Sequence, residues 1–281
     1  MVMKHTPSKK KVLVGMIIML MVSPLLGHGA TTATVGSPYL YNFNQNGLVK
    51  EAGSLLESSS PYWWVNSGAY LKIESGQGKT VQGSLPTLDP WRVLYAANNP
   101  QDTDNGYHPQ NIFRLPTRSK WQNARQESYF VVNKDNLSNS SNRNQSNGLL
   151  LFNRYQDGQN LYYAGIRVDG TAVIKKKLNG IYYTLASAPQ IYSGTYDRTS
   201  NPNLLPKNQW IGLRTETVNL ANGAVRIRLY LDKGWKGIWT LVAEAVDDGS
   251  KYGRPITAAG YGGIRTDFMD VSFENFRFTT I

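Results

Sequence analysis

Cysteine is absent from the 281-residue sequence, which excludes disulfides, thiolate nucleophiles and thiolate metal sites and leaves the packed core as the source of stability. Histidine is nearly absent too, with three in all. Two of them, His5 and His28, fall near the start, so His108 stands alone in the body of the chain and cannot by itself build a histidine metal centre. Long apolar runs are also missing. The one apolar stretch, Val12 to Leu26, is broken by Pro24 and falls short of the ~20 residues a membrane span needs. Helical periodicity is scarce after residue 40, where aromatic and β-branched stretches alternate with Gly- and Asn-rich ones.

What is present begins with a leader. Lys4, Lys9, Lys10 and Lys11 precede the apolar stretch, and Gly27, Gly29, Ala30 and Ala33 follow it. This tripartite pattern reads as a secretory signal peptide over residues 1–30, cleaved after Ala30 or Ala33. The expected location is extracellular, free or associated with the cell surface, with no membrane span in the mature chain. Thirty basic residues oppose 19 acidic ones, and removal of the four leader lysines leaves a net charge of +7. A cationic exported protein suits anionic glycans, cell walls or acidic surfaces. The chain carries no recognition motif that would turn the charge toward nucleic acid.

Residues 31–281 read as a single all-β domain, a length within the range of one sandwich. The clearest stretch is a meander. Leu149 to Tyr155 and Leu161 to Val168 are strands; Asp169-Gly170 and Asn179-Gly180 are two-residue hairpin turns of the type that needs positive φ at both positions. Ala172 to Lys177 and Ile181 to Leu185 complete it. Trp210 to Val218, Ala224 to Leu231, Trp239 to Val246, Gly260 to Asp267 and Asp270 to Thr279 are later strands, with Trp210 and Trp239 expected in the core. Trp91 to Trp121 reads as irregular. Residues 133–147 form a polar Asn/Ser-rich insert, expected to be a mobile surface loop, with glycosylation sequons at Asn136, Asn139 and Asn144.

The last third carries a resemblance. Trp210-Ile-Gly-Leu-Arg214, Val225-Arg-Ile-Arg-Leu-Tyr-Leu-Asp232, Trp239, Gly263-Ile-Arg-Thr-Asp267 and Val271-Ser-Phe-Glu-Asn-Phe-Arg-Phe278 resemble the concanavalin A-like lectin/glucanase superfamily, in its laminin-G-like and polysaccharide-lyase-like branches. The resemblance implies a two-sheet antiparallel β-sandwich, a jelly roll, whose last strand pairs near the first. It also implies polysaccharide partners and no required cofactor; a structural calcium is common in the superfamily, and Glu274 is the positional candidate to hold one, with Glu51 a vaguer one.

Two enzyme signatures were compared with the chain. The paired-carboxylate strand of laminarinase-like glycosidases has no counterpart, because Glu127, Glu216, Glu244 and Glu274 are isolated. Alginate-lyase-like enzymes use an Arg-(Ser/Thr)-Glu strand, a Gln-Ile-His strand and a late Tyr-rich strand. Arg125-Gln-Glu127, Asn153-Arg-Tyr155 and Tyr261-Gly-Gly-Ile-Arg265 lie where these would fall, and Arg214-Thr-Glu216 repeats the first later in the chain. If the chain is a lyase, Tyr155 or His108 is the base and Arg125, Arg154 or Asn153 neutralises the uronate carboxylate.

The meander offers a binding surface. With both turns two residues long, Lys177 lies opposite Tyr182 and Tyr162, and Lys175 opposite Thr184 and Ala164. Tyr162, Tyr182, Lys175, Lys177 and Thr184 then share one face, with rings to stack on sugars and ammonium groups to attract carboxylates or sulfates. Trp63, Trp64, Trp91, Trp121 and Trp235 are further candidate sugar platforms. The first expectation is therefore a secreted polysaccharide-recognition sandwich for anionic glycans. The alternatives are a lyase acting on uronate-containing polysaccharide and a cell-surface or matrix adhesion protein.

Overall fold

The computed structural model describes residues 30–33 and 35–281. The leader lies outside these except for Ala30. The Ala30 N–H donates to the Ser58 carbonyl at 3.0 Å, and its carbonyl accepts from the buried Arg118 guanidinium.

About 50% of the chain is strand and about 5% helix. The first elements are β1 (Tyr39–Tyr41), β2 (Gly47–Lys50), β3 (Tyr70–Glu74), β4 (Gln77–Lys79), helix α1 (Pro90–Asn98), β5 (Ile112–Trp121) and β6 (Ala124–Asp135). The meander supplies β7 (Gly148–Asp157), β8 (Asn160–Arg167), β9 (Thr171–Leu178) and β10 (Ile181–Gln190). The chain ends with β11 (Trp210–Asn219), β12 (Val225–Lys233), β13 (Thr240–Asp247), β14 (Gly260–Asp267) and β15 (Met269–Thr280).

Two antiparallel sheets form a sandwich. One has nine strands in the order β13-β12-β11-β6-β15-β4-β3-β2, with β1 also on β15; the other has six, β10-β9-β8-β7-β14-β5. Tyr41 pairs with Phe276, the closure of first strand on last that the resemblance implies. Alternation along each strand places Ile211, Leu213, Ile227, Leu229, Val271 and Phe273 of the large sheet against Leu149, Leu151, Ala164, Ile166 and Ile174 of the small one. Trp63 closes one end of this core, 4.7 Å from Phe276 and 6.0 Å from Phe43 between ring centroids. Among the described residues no helix is long and apolar enough to cross a membrane.

Four local expectations are corrected. The first hairpin turn is three residues long, because Ile166 pairs with Ala172 and only Gly170, at φ 78°, takes the left-handed conformation there. Asn179 and Gly180 both have positive φ, so the second turn is the two-residue type expected. The extra residue slides β8 by one position and turns every β8 side chain to the other face. Tyr162 therefore points into the sandwich, fully buried, and Tyr163 takes the outward place beside Lys175.

Second, the Asn/Ser-rich segment after Asp135 is pinned. Ser138 Oγ donates to Asp104 at 2.6 Å, Ser140 Oγ to Asp102 at 2.5 Å, and the buried Asn136 amide to Asp270 at 2.9 Å. Third, Trp210 and Trp239 are only partly buried, on the outer face of the large sheet. Fourth, the stretch expected to be irregular from Trp91 to Trp121 holds helix at residues 90–98 and the strand β5 at 112–121. Asp89 caps α1 by accepting from the Trp91 N–H at 2.8 Å, with Pro90 at the first position.

Candidate functional site

The outer face of the six-stranded sheet carries two adjacent rows of side chains. Register sets the first as Arg114, Arg265, Leu150, Gly165 and Val173, and the second as Phe152, Tyr163, Lys175 and Thr184. Leu150, Phe152, Tyr155, Leu161, Tyr163 and Val173 pack together as a small second core, with Trp64 and Tyr261 against it. Residues 63–67 run alongside β5, with Trp64 N–H donating to Pro116 and Asn66 N–H to Arg114. That segment walls one side of the face; the pinned Asn/Ser segment walls another.

Against the Asn/Ser wall is an open cleft of about 360 Å³. Arg114, Lys175, Arg265, Tyr163 and Tyr182 line it, with Asn142, Asn144 and Ser146 from the Asn/Ser segment and Asp102 and Asp267 at its margin. Arg265 Nε donates to Asp267 Oδ1 at 2.9 Å, and its guanidinium lies 5.6 Å from the Tyr163 ring centroid. Asp102 is occupied by Ser140 and Asn142. Arg114, Lys175 and Lys177 have no carboxylate within 4.0 Å among the described residues.

The electrostatics follow from this crowding of cations. Burial works against the Arg265 charge, but Asp267, Tyr163 and Tyr182 outweigh it and raise the affinity of the guanidinium for its proton. Lys175 is shifted down by burial, then by Arg167 and Arg265. Burial alone would raise the Tyr182 phenol, yet Arg265 and Lys177 bring it below its ordinary value. Lys177 Nζ lies 4.7 Å from the Tyr182 ring centroid.

Of the five residues expected on the binding face, Tyr182, Lys175, Lys177 and Thr184 share it; Tyr182 pairs with Lys177 and Thr184 with Lys175. Tyr162 does not. Its hydroxyl donates to Asp247 at 2.5 Å and accepts from the Ile256 N–H at 2.8 Å. Arg114 and Tyr163 were not singled out in the sequence. Arg114 was hidden because its stretch reads as irregular, whereas it is β5, with Phe113 and Leu115 inward. Tyr163 was hidden by the turn length.

The five residues expected to be catalytic are not gathered. Tyr155 alone faces the outer core, buried, its hydroxyl accepting from Asn66 Nδ2 at 3.0 Å, and burial raises its phenol. Asn153 points between the sheets, where its Oδ1 accepts from Gln126, Thr215 and Thr217. Arg154 sits in a bulge at φ 49° and donates to the Ile256 and Gln122 carbonyls, its buried guanidinium lowered to about 10. Arg125 lies on the outer face of the other sheet. His108 is held between Asp104 and Ser84, at 2.8 Å from each, and does not line the cleft.

The two Arg-x-Glu echoes prove to be neighbours. Arg125 pairs with Glu216 and Arg214 with Glu127, both at 2.5 Å, as cross-strand partners between β6 and β11. Glu274 accepts from Gln77 at 2.8 Å, and Glu51 from the Tyr95 hydroxyl at 2.5 Å. Among the described residues no group of three or more His, Asp or Glu side chains is arranged to hold a metal ion. Of the tryptophans proposed as platforms, Trp63 is core, Trp121 stacks on Phe278 and Trp235 on Tyr129.

No protein-family model matches the chain, and no curated protein matches it. Among solved structures it is similar to a carbohydrate-binding module, CBM66, from Bacillus subtilis, at 16% identity and TM-score 0.46 over 78% of this chain and 95% of that one. It is likewise similar to a β-glucanase of Bacillus licheniformis, at 11% identity and TM-score 0.46 over 88% and 100%. A third is a Bacillus subtilis protein of unknown function with a galectin-like fold, at 12% identity and TM-score 0.46 over 87% and 96%.

Proposed function

We propose that this chain is an exported polysaccharide-recognition protein, and that the cleft on its six-stranded sheet takes anionic glycan. The observation that carries the reading is the pairing of Arg114 directly opposite Arg265, with Lys175 in the next row and one carboxylate, Asp267, bonded to the group. Like charges opposite one another on adjacent strands are unfavourable, and a bound carboxylate or sulfate relieves that repulsion. Tyr182, exposed on this face, supplies ring surface for the apolar faces of sugars, and the second N–H of the Asn144 amide is a donor to hydroxyls. The signal-peptide pattern and the net charge of +7 after its removal support the same reading.

Affinity electrophoresis in gels containing alginate, or a neutral β-glucan, tests it. Retardation should be stronger in alginate and should fade as salt rises, because exposed cations act through a screened field. Lys175→Gln together with Lys177→Gln should weaken alginate retardation without unfolding the protein. Equal retardation of parent and variant in low salt would place the ligand elsewhere. Appearance of absorbance near 235 nm with alginate would replace the binding reading with elimination. Self-association without glycan retardation would replace it with adhesion.

A further inference from the structure

The opposite side of the sandwich carries a second cleft, of about 470 Å³, on the outer face of β3, β4, β15 and β6. Leu71, Ile73, Val132, Val271 and Phe273 point into the core, so alternation turns Tyr70, Lys72, Glu74, Asn133 and Ser272 outward. The lining is polar, and each of its charged groups is held in an ion pair. Lys72 and Lys79 both pair with Glu74, at 2.9 and 3.1 Å, and Glu274 accepts from Gln77 at 2.8 Å. Within the cleft lining two cations thus share one carboxylate, and Glu274 lies beyond Gln77 outside it.

What remains available is amide and hydroxyl chemistry already held in place. Asn133 Nδ2 donates to Gln82 Oε1 at 2.8 Å and to Ser272 Oγ at 2.9 Å. Gln82 Nε2 is anchored on the Thr80 carbonyl at 3.0 Å. These bonds fix the side chains yet leave the Asn133 and Gln77 carbonyl oxygens and the Ser272 hydroxyl hydrogen without protein partners among the described residues. Tyr70, half-buried at the rim, offers a ring. Fixed acceptors and donors beside an aromatic wall, in a cleft whose cations are already ion-paired, match the hydroxyls and apolar face of an uncharged sugar, and their prior ordering lowers the entropic cost of binding.

The geometry points to a second glycan site here, selective for neutral oligosaccharide, so that the protein presents an anionic-glycan face and a neutral-glycan face on opposite sides of one sandwich. This second site does not depend on the cationic cleft. It rests on the proposed glycan-binding role only in sharing a ligand class.

Isothermal titration with the neutral hexasaccharides cellohexaose and maltohexaose separates the two sites. At least one should bind, with affinity unchanged between 20 and 200 mM salt. Tyr70→Ala, or Asn133→Ala with Gln82→Ala, should weaken it at least tenfold while leaving alginate retardation as in the parent. Lys175→Gln with Lys177→Gln should do the reverse. An unchanged melting midpoint in each variant shows that the loss is local, and should the double variant unfold, Tyr70→Ala carries the test. Loss of hexasaccharide binding in the lysine variant, persistence in both groove variants, or no binding by either hexasaccharide at millimolar concentration overturns the second site. Loss of alginate retardation with neutral binding intact overturns only the cationic cleft.

Discussion

Lys176 Nζ lies 2.8 Å from Asp247 Oδ2, with the lysine side chain wholly buried and the aspartate 3% exposed. The ammonium also donates to the Gly253 carbonyl at 2.7 Å, and the Tyr162 hydroxyl donates to the same carboxylate oxygen. This pair joins β9 of one sheet to the end of β13 of the other. It fastens the segment after Asp247, because the Ile256 N–H donates to Tyr162. Three consecutive lysines thus divide by strand alternation, with Lys175 and Lys177 outward and Lys176 inward.

Breaking that pair from one side should be costly. Lys176→Met leaves a buried carboxylate without its cation, and Asp247→Asn leaves a buried ammonium; each is expected to destabilise by about 3–5 kcal/mol. Urea denaturation followed by tryptophan fluorescence measures it. Lys175→Met, one position away on the outer face, should change stability by under about 0.5 kcal/mol. Equal losses at 175 and 176 would contradict the register.

Arg114 should show effects of opposite sign on stability and on binding. Replacing it with Gln removes a like charge facing Arg265, so the free protein should gain about 0.2–1 kcal/mol while retardation in alginate gels falls. A loss of stability would mean that Arg114 has a partner that outweighs the repulsion.

The sequence made the sandwich legible because alternation and Gly-containing turns are local signals. It also placed Tyr182 opposite Lys177, since Asn179-Gly180 admits one short turn. It misplaced Tyr162 because Asp169-Gly170 serves both a two-residue turn and a three-residue turn in which Gly170 alone needs positive φ. A single residue of loop decides which face a whole strand presents. The cleft itself could not be read locally. Arg114 and Arg265 are distant in the chain and meet only through the pairing of β5 with β14, and the Asn/Ser segment is ordered by aspartates at 102, 104 and 270.

Tyr182 should be marked by its titration. Burial raises the other phenols of the meander, Tyr155, Tyr162 and Tyr163, whereas Arg265 and Lys177 carry Tyr182 below its ordinary value despite burial. Ultraviolet difference titration should show an early phenolate step in the parent that Tyr182→Phe lacks and Lys177→Gln moves to higher pH. The linked stability follows the depressed-pKa sign. Relative to Tyr182→Phe, the parent should gain stability as pH rises through the Tyr182 pKa, up to the unfolded value of ~10. It should lose that gain as pH falls back toward neutrality. A parent and variant whose relative stability stays flat across this range would show that the cations do not act on Tyr182.

The Arg-x-Glu strands yield the last expectation. Arg125-Gln-Glu127 and Arg214-Thr-Glu216 are antiparallel neighbours, so each arginine meets the other strand's glutamate. The ladder continues to Arg228 and Glu244 on β12 and β13, at 2.5 Å. A motif that resembles catalytic machinery in one dimension is here a two-strand lock, which alternation produces whenever Arg-x-Glu faces its reverse. Reversing one strand alone, as Arg214→Glu with Glu216→Arg, sets like charges opposite one another and should lower stability by about 0.4–2 kcal/mol, two pairs at 0.2–1 each. Reversing both strands restores complementarity. The fourfold variant should regain part of that loss; Arg228 opposite position 216 and Arg277 beside position 127 then face like charge, and the cation 4.0 Å from the Trp239 ring centroid is gone. Thermal midpoints of the single-strand and double-strand reversals decide it. If the double reversal is no more stable than the single, the carboxylates are held by something other than the arginines opposite them, and the role of these strands as a lock is wrong.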